Sequence, residues 1–170
     1  MALRNIVQEG DSVLRRHCRP VTDFNQRLHT LLDDMRETLL DSQGVGLAGP
    51  QVGVARRVAL VLDTSREELP PEQQIVELVN PEIIASSGEQ DGPEGCLSVP
   101  GVYGMVQRPM KVTVRAQDRS GQTFEMTGEG LTARAFCHEI AHLDGQLFTD
   151  IASHILTEEE KQAWFEEDGE

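Results

Sequence analysis

No apolar run in this chain approaches the roughly 20 residues that a membrane-spanning helix needs, so no part of it is expected to enter a bilayer. Cysteine is sparse as well. Cys18, Cys96 and Cys137 are an odd number, and the opening stretch MALRNIVQEGDSVLRRHC has neither an apolar h-region nor a small-residue cleavage site. These features argue against a secreted disulfide framework and for a cytoplasmic protein whose reduced thiols are available to bind a metal. Positive charge is the third shortage: 15 Lys and Arg stand against 29 Asp and Glu, for a net charge of -14. A phosphate backbone would be repelled by such a surface, so direct nucleic-acid binding is disfavoured. The small arginine clusters in LRRHCR and ARR read as solvated surface charge. Internal repeats and linkers are missing too, which leaves residues 1–170 as one expected domain around a single core.

What is present is a globular composition, with 38% hydrophobic and 26% charged residues, too apolar for a disordered tail and too polar for a membrane protein. The spacing of Leu28, Leu31, Leu32, Met35 and Leu39 predicts a helix within DFNQRLHTLLDDMRETLLDSQG, with Asp23 as its N-cap, Gln26 as capping-box partner and Gly44 as its stop. GVGLAGPQVG, residues 44–53, carries four glycines and a proline and reads as a loop, neither helix nor strand. RVALVLD is a short strand, PPEQQ a turn, and IVELVNPEIIASSG an extended segment around Asn80-Pro81. EQDGPEGCLSVPGVYG reads as a second irregular segment. Alternation in KVTVRAQD and TFEMTGEG, on either side of RSGQ, predicts a hairpin. A helix from Leu131 through His142 starts near Gly130 and Thr132, ends at Gly145, and turns Ala133, Phe136, Ile140 and Leu143 to apolar neighbours. Thr157 and Glu160 form a capping box at the head of TEEEKQAW. The expected fold class is α+β: mostly antiparallel sheets packed around a central helix that carries HExxH, with an N-terminal and a short C-terminal helix.

Within that central helix, FCHEIAHLDG places His138 and His142 one turn apart on the same face, where both can reach one cation. Glu139 lies just round the helix and can approach a water at the metal. This is hydrolytic geometry, but a catalytic site of this kind takes three protein ligands, and the helix supplies two. Cys137 is about 100° round the helix from His138 and is expected in the core. Cys18 lies in a basic stretch with nothing to shape a site, and His17, His29 and His154 are isolated. Cys96 differs, because PEGCLSVPG holds it in a rigid, turn-forming segment. It is the favoured third ligand, and one thiolate with two imidazoles leaves a fourth position open for water.

Three segments taken together, GVGLAGPQVG, EGCLSVP and HEIAHLDG, resemble the signature motifs of the peptide deformylase family, in the same order. IVQEGDSVLRR and LTARAF are similar to that family as well, so the resemblance spans nearly the whole chain. It implies a metal-dependent hydrolase that removes the formyl group from N-formylmethionyl peptides and nascent chains, releasing formate, most naturally in a bacterium. It implies Cys96, His138 and His142 as the metal ligands and Glu139 as the proton carrier. It further implies the Gln51 side-chain amide and the Leu97 backbone N–H as donors to the oxyanion. Val45 and Gly46 would pair with an extended substrate, and Val45, Leu131 and Ala135 would wall an apolar methionine pocket. The implied ion is Fe2+, with Ni2+ or Co2+ as working substitutes and Zn2+ binding readily through the softness of the same donors.

Two positions depart from the family's commonest form. Gly49 stands where alanine is usual, expected to be a mild packing change. Ala141 stands where aspartate is usual, which removes a group that helps orient the metal helix and leaves Arg108 as a free partner. The tail TEEEKQAWFEEDGE has seven acidic residues against one lysine, which disfavours its docking on ribosomal RNA. Two other readings stay open. An HExxH endopeptidase would take its third ligand from Asp144, Asp150, His154 or the glutamates beyond. A silent relative would bind formylated termini without cleaving them and would have no use for Glu139.

Overall fold

Leu28, Leu31, Leu32, Met35 and Leu39 fall on one face of α1 (Gln26–Ser42), and all are buried. The cap differs from expectation. Asn25, not Asp23, is the N-cap, its side chain accepting from Leu28 N–H at 3.2 Å. The helix begins at Gln26, so that residue occupies the first helical position rather than the third, which a capping-box partner must occupy. At the other end Gln43 turns left-handed, with φ 58°, and the Ser42 hydroxyl accepts from Gly44 N–H at 3.3 Å. The computed structural model describes residues 2–167; Met1 and residues 168–170, the end of the acidic tail, lie outside the described residues.

After α1 come β1 (Gly46–Ala48), β2 (Val58–Leu62), a one-turn helix α2 (Pro71–Gln74) where PPEQQ was expected to turn, and β3 (Ile75–Ser87). The hairpin β4 (Gln90–Cys96) and β5 (Val99–Arg108) precedes β6 (Lys111–Gln117) and β7 (Thr123–Glu129). α3 (Leu131–Leu143), β8 (His154–Ile155) and α4 (Glu158–Glu167) complete the order. The strands form two sheets, β1-β2-β3-β6-β7 and β4-β5-β8, with every neighbouring pair antiparallel.

Successive side chains of a strand point to opposite faces, and β2 uses both. Val58 and Leu60 join the cluster around α1, whereas Val61 joins a second cluster with Ala133, Phe136, Cys137 and Ile140 of α3. The large sheet is therefore covered on both faces, which explains why VALVL is apolar throughout rather than alternating. β6 and β7 form the expected hairpin, and the expected capping box closes α4. There Thr157 N–H donates to Glu160 at 3.1 Å, and Glu160 N–H donates to the Thr157 hydroxyl at 3.2 Å. Among the described residues no helix is long and apolar enough to cross a membrane.

Three expectations need correction. Residues 44–53 are not a plain loop: Gly46, Leu47 and Ala48 pair with Val61, Leu60 and Ala59, and Gly49–Val52 makes a 3-10 turn that Pro50 starts and Gly53 ends at φ 83°. Cross-strand pairing overrides the local composition. The segment EQDGPEGCLSVPGVYG is a strand hairpin, in which Leu97 and Ser98 make the turn between Cys96 and its partner Val99. Pro93 disguised it, and is tolerated because β4 is an edge strand. Gly49 is also less replaceable than expected, since a Cβ there would lie 2.9 Å from the carbonyl oxygens of both Val54 and Arg56.

The corrected cap is testable by urea denaturation. Asn25→Ala should lower stability by about 1 kcal/mol, while Asp23→Ala should leave it within about 0.5 kcal/mol.

Candidate metal centre and active site

The strand β4 and the helix α3 meet so that the donor atoms of Cys96, His138 and His142 all lie within 4.8 Å of one another. Cys96 Sγ is 3.4 Å from His142 Nε2, and the two imidazole rings stand edge to face with centroids 5.0 Å apart. The remaining candidates are occupied elsewhere. Cys137 and Cys18 are buried among apolar neighbours, and burial pushes both thiols up. His29 Nε2 contacts the Arg119 carbonyl at 2.8 Å, and His17 is exposed. The downstream groups that an endopeptidase would recruit are paired off: Asp144 with Arg57, Asp150 with Arg15, and His154 with Glu160.

Behind the three donors sits Glu94, which sequence reasoning missed. Its carboxylate is buried and accepts from Arg108 Nε at 2.8 Å and Nη2 at 2.9 Å, from Arg134 Nη1 at 2.7 Å, and lies 2.9 Å from His138 Nδ1. Burial pushes its pKa up, but Arg108 and His138 outweigh that and hold it down at about 2. A permanent carboxylate on Nδ1 fixes the His138 ring so that Nε2 is the free donor atom. Arg108 is therefore not left free by Ala141, and the orientation of α3 rests on Glu94. Both residues carried a readable signal. Glu94 is two positions before Cys96 in a strand, and Arg134 is four before His138 in a helix, so each shares a face with a donor.

Glu139 lies across the site, buried, with burial pushing its pKa up to about 7. Gly46 makes room for it: a Cβ at that position would come 2.5 Å from Glu139 Oε2. Gln51 is also buried, and its Oε1 accepts from Ala48 N–H at 3.0 Å. That bond orients the amide so that Nε2 faces Ser98 Oγ at 3.2 Å and Cys96 Sγ at 3.4 Å. Leu97 follows Cys96 in the hairpin turn. A cavity of about 600 Å³ is lined by Gly46, Gln51, Cys96, Leu97, His138 and Glu139, together with Val45, Leu131 and Ala135. Ala135 is buried, while Val45 and Leu131 stand 39% and 48% exposed, so the latter two form the rim rather than the depth of an apolar pocket.

The donor set fits a divalent cation. Burial acts to lower the pKa of His138, yet Glu139, Cys96 and Glu94 raise it to about 10. Burial, reinforced by charge on His138, lowers that of His142 to about 3. The site thus concentrates negative potential around one imidazole and keeps the other neutral, and a cation can replace the proton so held. Glu139 Oε1 is buried without a hydrogen-bond partner beside these donors, an orphaned acceptor that a water at the site would satisfy. One thiolate and two imidazoles suit a borderline transition metal.

A family model described as polypeptide deformylase matches residues 3–158. The chain belongs to that family. Among its relatives, the peptide deformylase of Caldanaerobacter subterraneus subsp. tengcongensis is 51% identical over 160 residues, covering 94% of this chain and 96% of the relative. That of Acidobacterium capsulatum is 50% identical over 148 residues, with 87% and 85% covered. The crystal structure of a peptide deformylase from Legionella pneumophila matches with a TM-score of 0.81 at 42% identity, over 97% of this chain and 92% of that one. That of the Thermotoga maritima enzyme matches at 0.82 and 35% identity, over 90% and 99%. The α+β arrangement of antiparallel sheets and helices is that of the deformylase structures, and the family is one of metalloenzymes.

Removing the charge of Glu94 tests its part in this deformylase site. Glu94→Gln should weaken metal binding about 10- to 100-fold in chelator competition. Glu94→Ala, which strands two buried arginines, should also cost about 3–5 kcal/mol of stability.

Proposed function

We propose that residues 1–170 form one catalytic domain, with α3 as its central helix, in which Cys96, His138 and His142 hold the metal and Glu139, Gln51 and Leu97 carry the chemistry. The reaction is the hydrolytic removal of the N-formyl group from the N-terminal formylmethionine of newly made polypeptides, releasing formate. The observation that carries the residue roles is the meeting of three metal-type donors within 4.8 Å of one another, at a cavity that Cys96 and His138 line together with a buried carboxylate and an oriented amide.

A divalent cation on these donors supplies Lewis acidity, making water nucleophilic near neutral pH and polarising the formyl carbonyl. Glu139, its pKa raised to about 7, takes the proton from the attacking water. It then delivers that proton to the departing amine of methionine, a task that suits a group poised near the working pH. As the carbonyl oxygen becomes negative, Gln51 Nε2–H and Leu97 N–H donate to it. The bond from Ala48 N–H to Gln51 Oε1 holds the amide plane, and one of the Nε2 hydrogens exchanges its contact with Cys96 Sγ or Ser98 Oγ for the oxyanion. The peptide lies along β1, an edge strand of the five-stranded sheet, and pairs with the main chain near Val45 and Gly46. Val45, Leu131 and Ala135 meet the methionine side chain. A formyl group carries only a hydrogen where acetyl carries a methyl, so a tight site disfavours the larger acyl group.

The ion we assign is Fe2+, one per chain, with Ni2+, Co2+ or Zn2+ able to occupy the same donors. The identity of the native ion rests on the family, whereas the donor chemistry alone admits all four. The protein works in the cytoplasm on nascent formylated chains. Its acidic C-terminal helix does not dock on ribosomal RNA, and neither nucleic acid nor membrane is a direct partner.

Three variants test these roles through formate release from a formyl-Met tripeptide, with bound metal measured in parallel. Glu139→Ala should retain metal and lose nearly all activity; activity equal to wild type would remove Glu139 from the mechanism. Gln51→Ala should lower kcat by about 100- to 1000-fold. Cys96→Ala should lose tight metal binding, and full retention would favour the endopeptidase reading.

A further inference from the structure

The family match ends at residue 158, so α4 lies almost wholly beyond it. The helix is nonetheless firmly seated on the hairpin that carries Cys96. β8 pairs with β5 through Gly104 and Met105, His154 Nε2 meets Glu160 at 2.7 Å, and Lys161 Nζ donates to the Gly101 carbonyl at 2.9 Å. One turn beyond Lys161, Phe165 meets Tyr103 with ring centroids 4.9 Å apart and planes inclined at 59°. Tyr103 pairs across the hairpin with Gly95, and a Cβ on Gly95 would overlap its ring. The tyrosine is thus laid across the strand directly beside Cys96, between Gly95 and Phe165. Both rings line the same cavity as Cys96 and Glu139, and Phe165 remains 44% exposed.

We infer that Tyr103 and Phe165 form an aromatic subsite that reads the side chain of a residue following the formylmethionine, favouring a large apolar or aromatic one. This rests on the deformylase reading of the cavity. A peptide held along β1 with its formyl group at Cys96 occupies the cavity whose wall these two rings help to form, and the exposed face of Phe165 is open to the residues that follow the methionine. The only cation of α4, Lys161, is committed to Gly101 and to Glu158 at 2.7 Å, so the wall offers apolar surface and ring edges rather than a free charge. Aromatic pairs gain from offset or edge-to-face contact beyond the area they bury, and a third ring can extend such a pair. Phe165 is a specificity residue remote from the reacting bond, so its contribution should appear in KM and not in kcat.

The test compares formyl-Met-Ala-Ala with formyl-Met-Phe-Ala and formyl-Met-Ala-Phe on the metal-loaded enzyme. Wild type should favour one phenylalanine peptide over the alanine peptide by about three- to tenfold in kcat/KM, through KM. Phe165→Ala should reduce that preference to less than about twofold while keeping kcat on formyl-Met-Ala-Ala, and Phe165→Trp should restore it. Trp164→Ala, on the neighbouring position of the same helix, should leave the preference intact. A wild type that treats all three peptides alike, a Phe165→Ala enzyme that keeps its preference, or a Trp164→Ala enzyme that loses it would each overturn the subsite with deformylation still standing. No formate from any peptide would remove the functional reading and the subsite together.

Discussion

The buried carboxylate of Glu94 is the constraint on which the site depends. A lone carboxylate in this position would be neutralised or would unfold its surroundings, because desolvation costs several kcal/mol per ion. It stays ionised because β5 sends Arg108 and α3 sends Arg134 to meet it, each through hydrogen bonds of 2.7–2.9 Å. The four-way junction with His138 ties both strands of the β4–β5 hairpin to the helix that carries two of the three donors. A shift of either partner would break charged hydrogen bonds in a dry interior, so the distance between Cys96 and the histidine pair is held by electrostatics as well as by packing.

Glycine at close approaches does the complementary work. Gly46 lets an edge strand pass against the Glu139 carboxylate, and Gly95 lets a tyrosine ring lie beside Cys96. The first approach excludes water from one side of Glu139. That burial lifts its pKa towards neutrality, while Arg108 and His138 hold Glu94 near 2 against its own burial. Two glutamates in one site thus take opposite states, one a permanent anion that orients a ring, the other able to accept and return a proton.

Much of this was legible in the sequence. The apolar spacing along α1 and α3, the β6–β7 alternation and the Thr157 capping box each follow a local rule, and each appears in the structure. The meeting of the two histidines with Cys96 was legible too, the histidines from their i, i+4 spacing and Cys96 from its turn-forming segment. What stayed hidden depended on pairing at a distance. The strands within GVGLAGPQVG and EQDGPEGCLSVPGVYG look irregular because Gly and Pro suppress local propensity, yet their ladders form with Ala59–Val61 and Tyr103–Arg108. Glu94 was overlooked because a glutamate beside a proline and two glycines reads as surface, although its two-residue spacing from Cys96 placed it on the donor's face. Phe165 carried no signal at all, since its contact with Tyr103 depends on how α4 is tethered.

The most direct test is formate release from formyl-Met-Ala-Ser by protein purified without oxygen and loaded with ferrous iron, beside the acetyl-Met-Ala-Ser control. Formate from the first peptide and no acetate from the second is the predicted result, because a formyl group carries only a hydrogen where acetyl carries a methyl, and the proposed site selects the smaller acyl group. Silence on the formyl peptide with one iron bound per chain, or equal release from both peptides, would contradict the account.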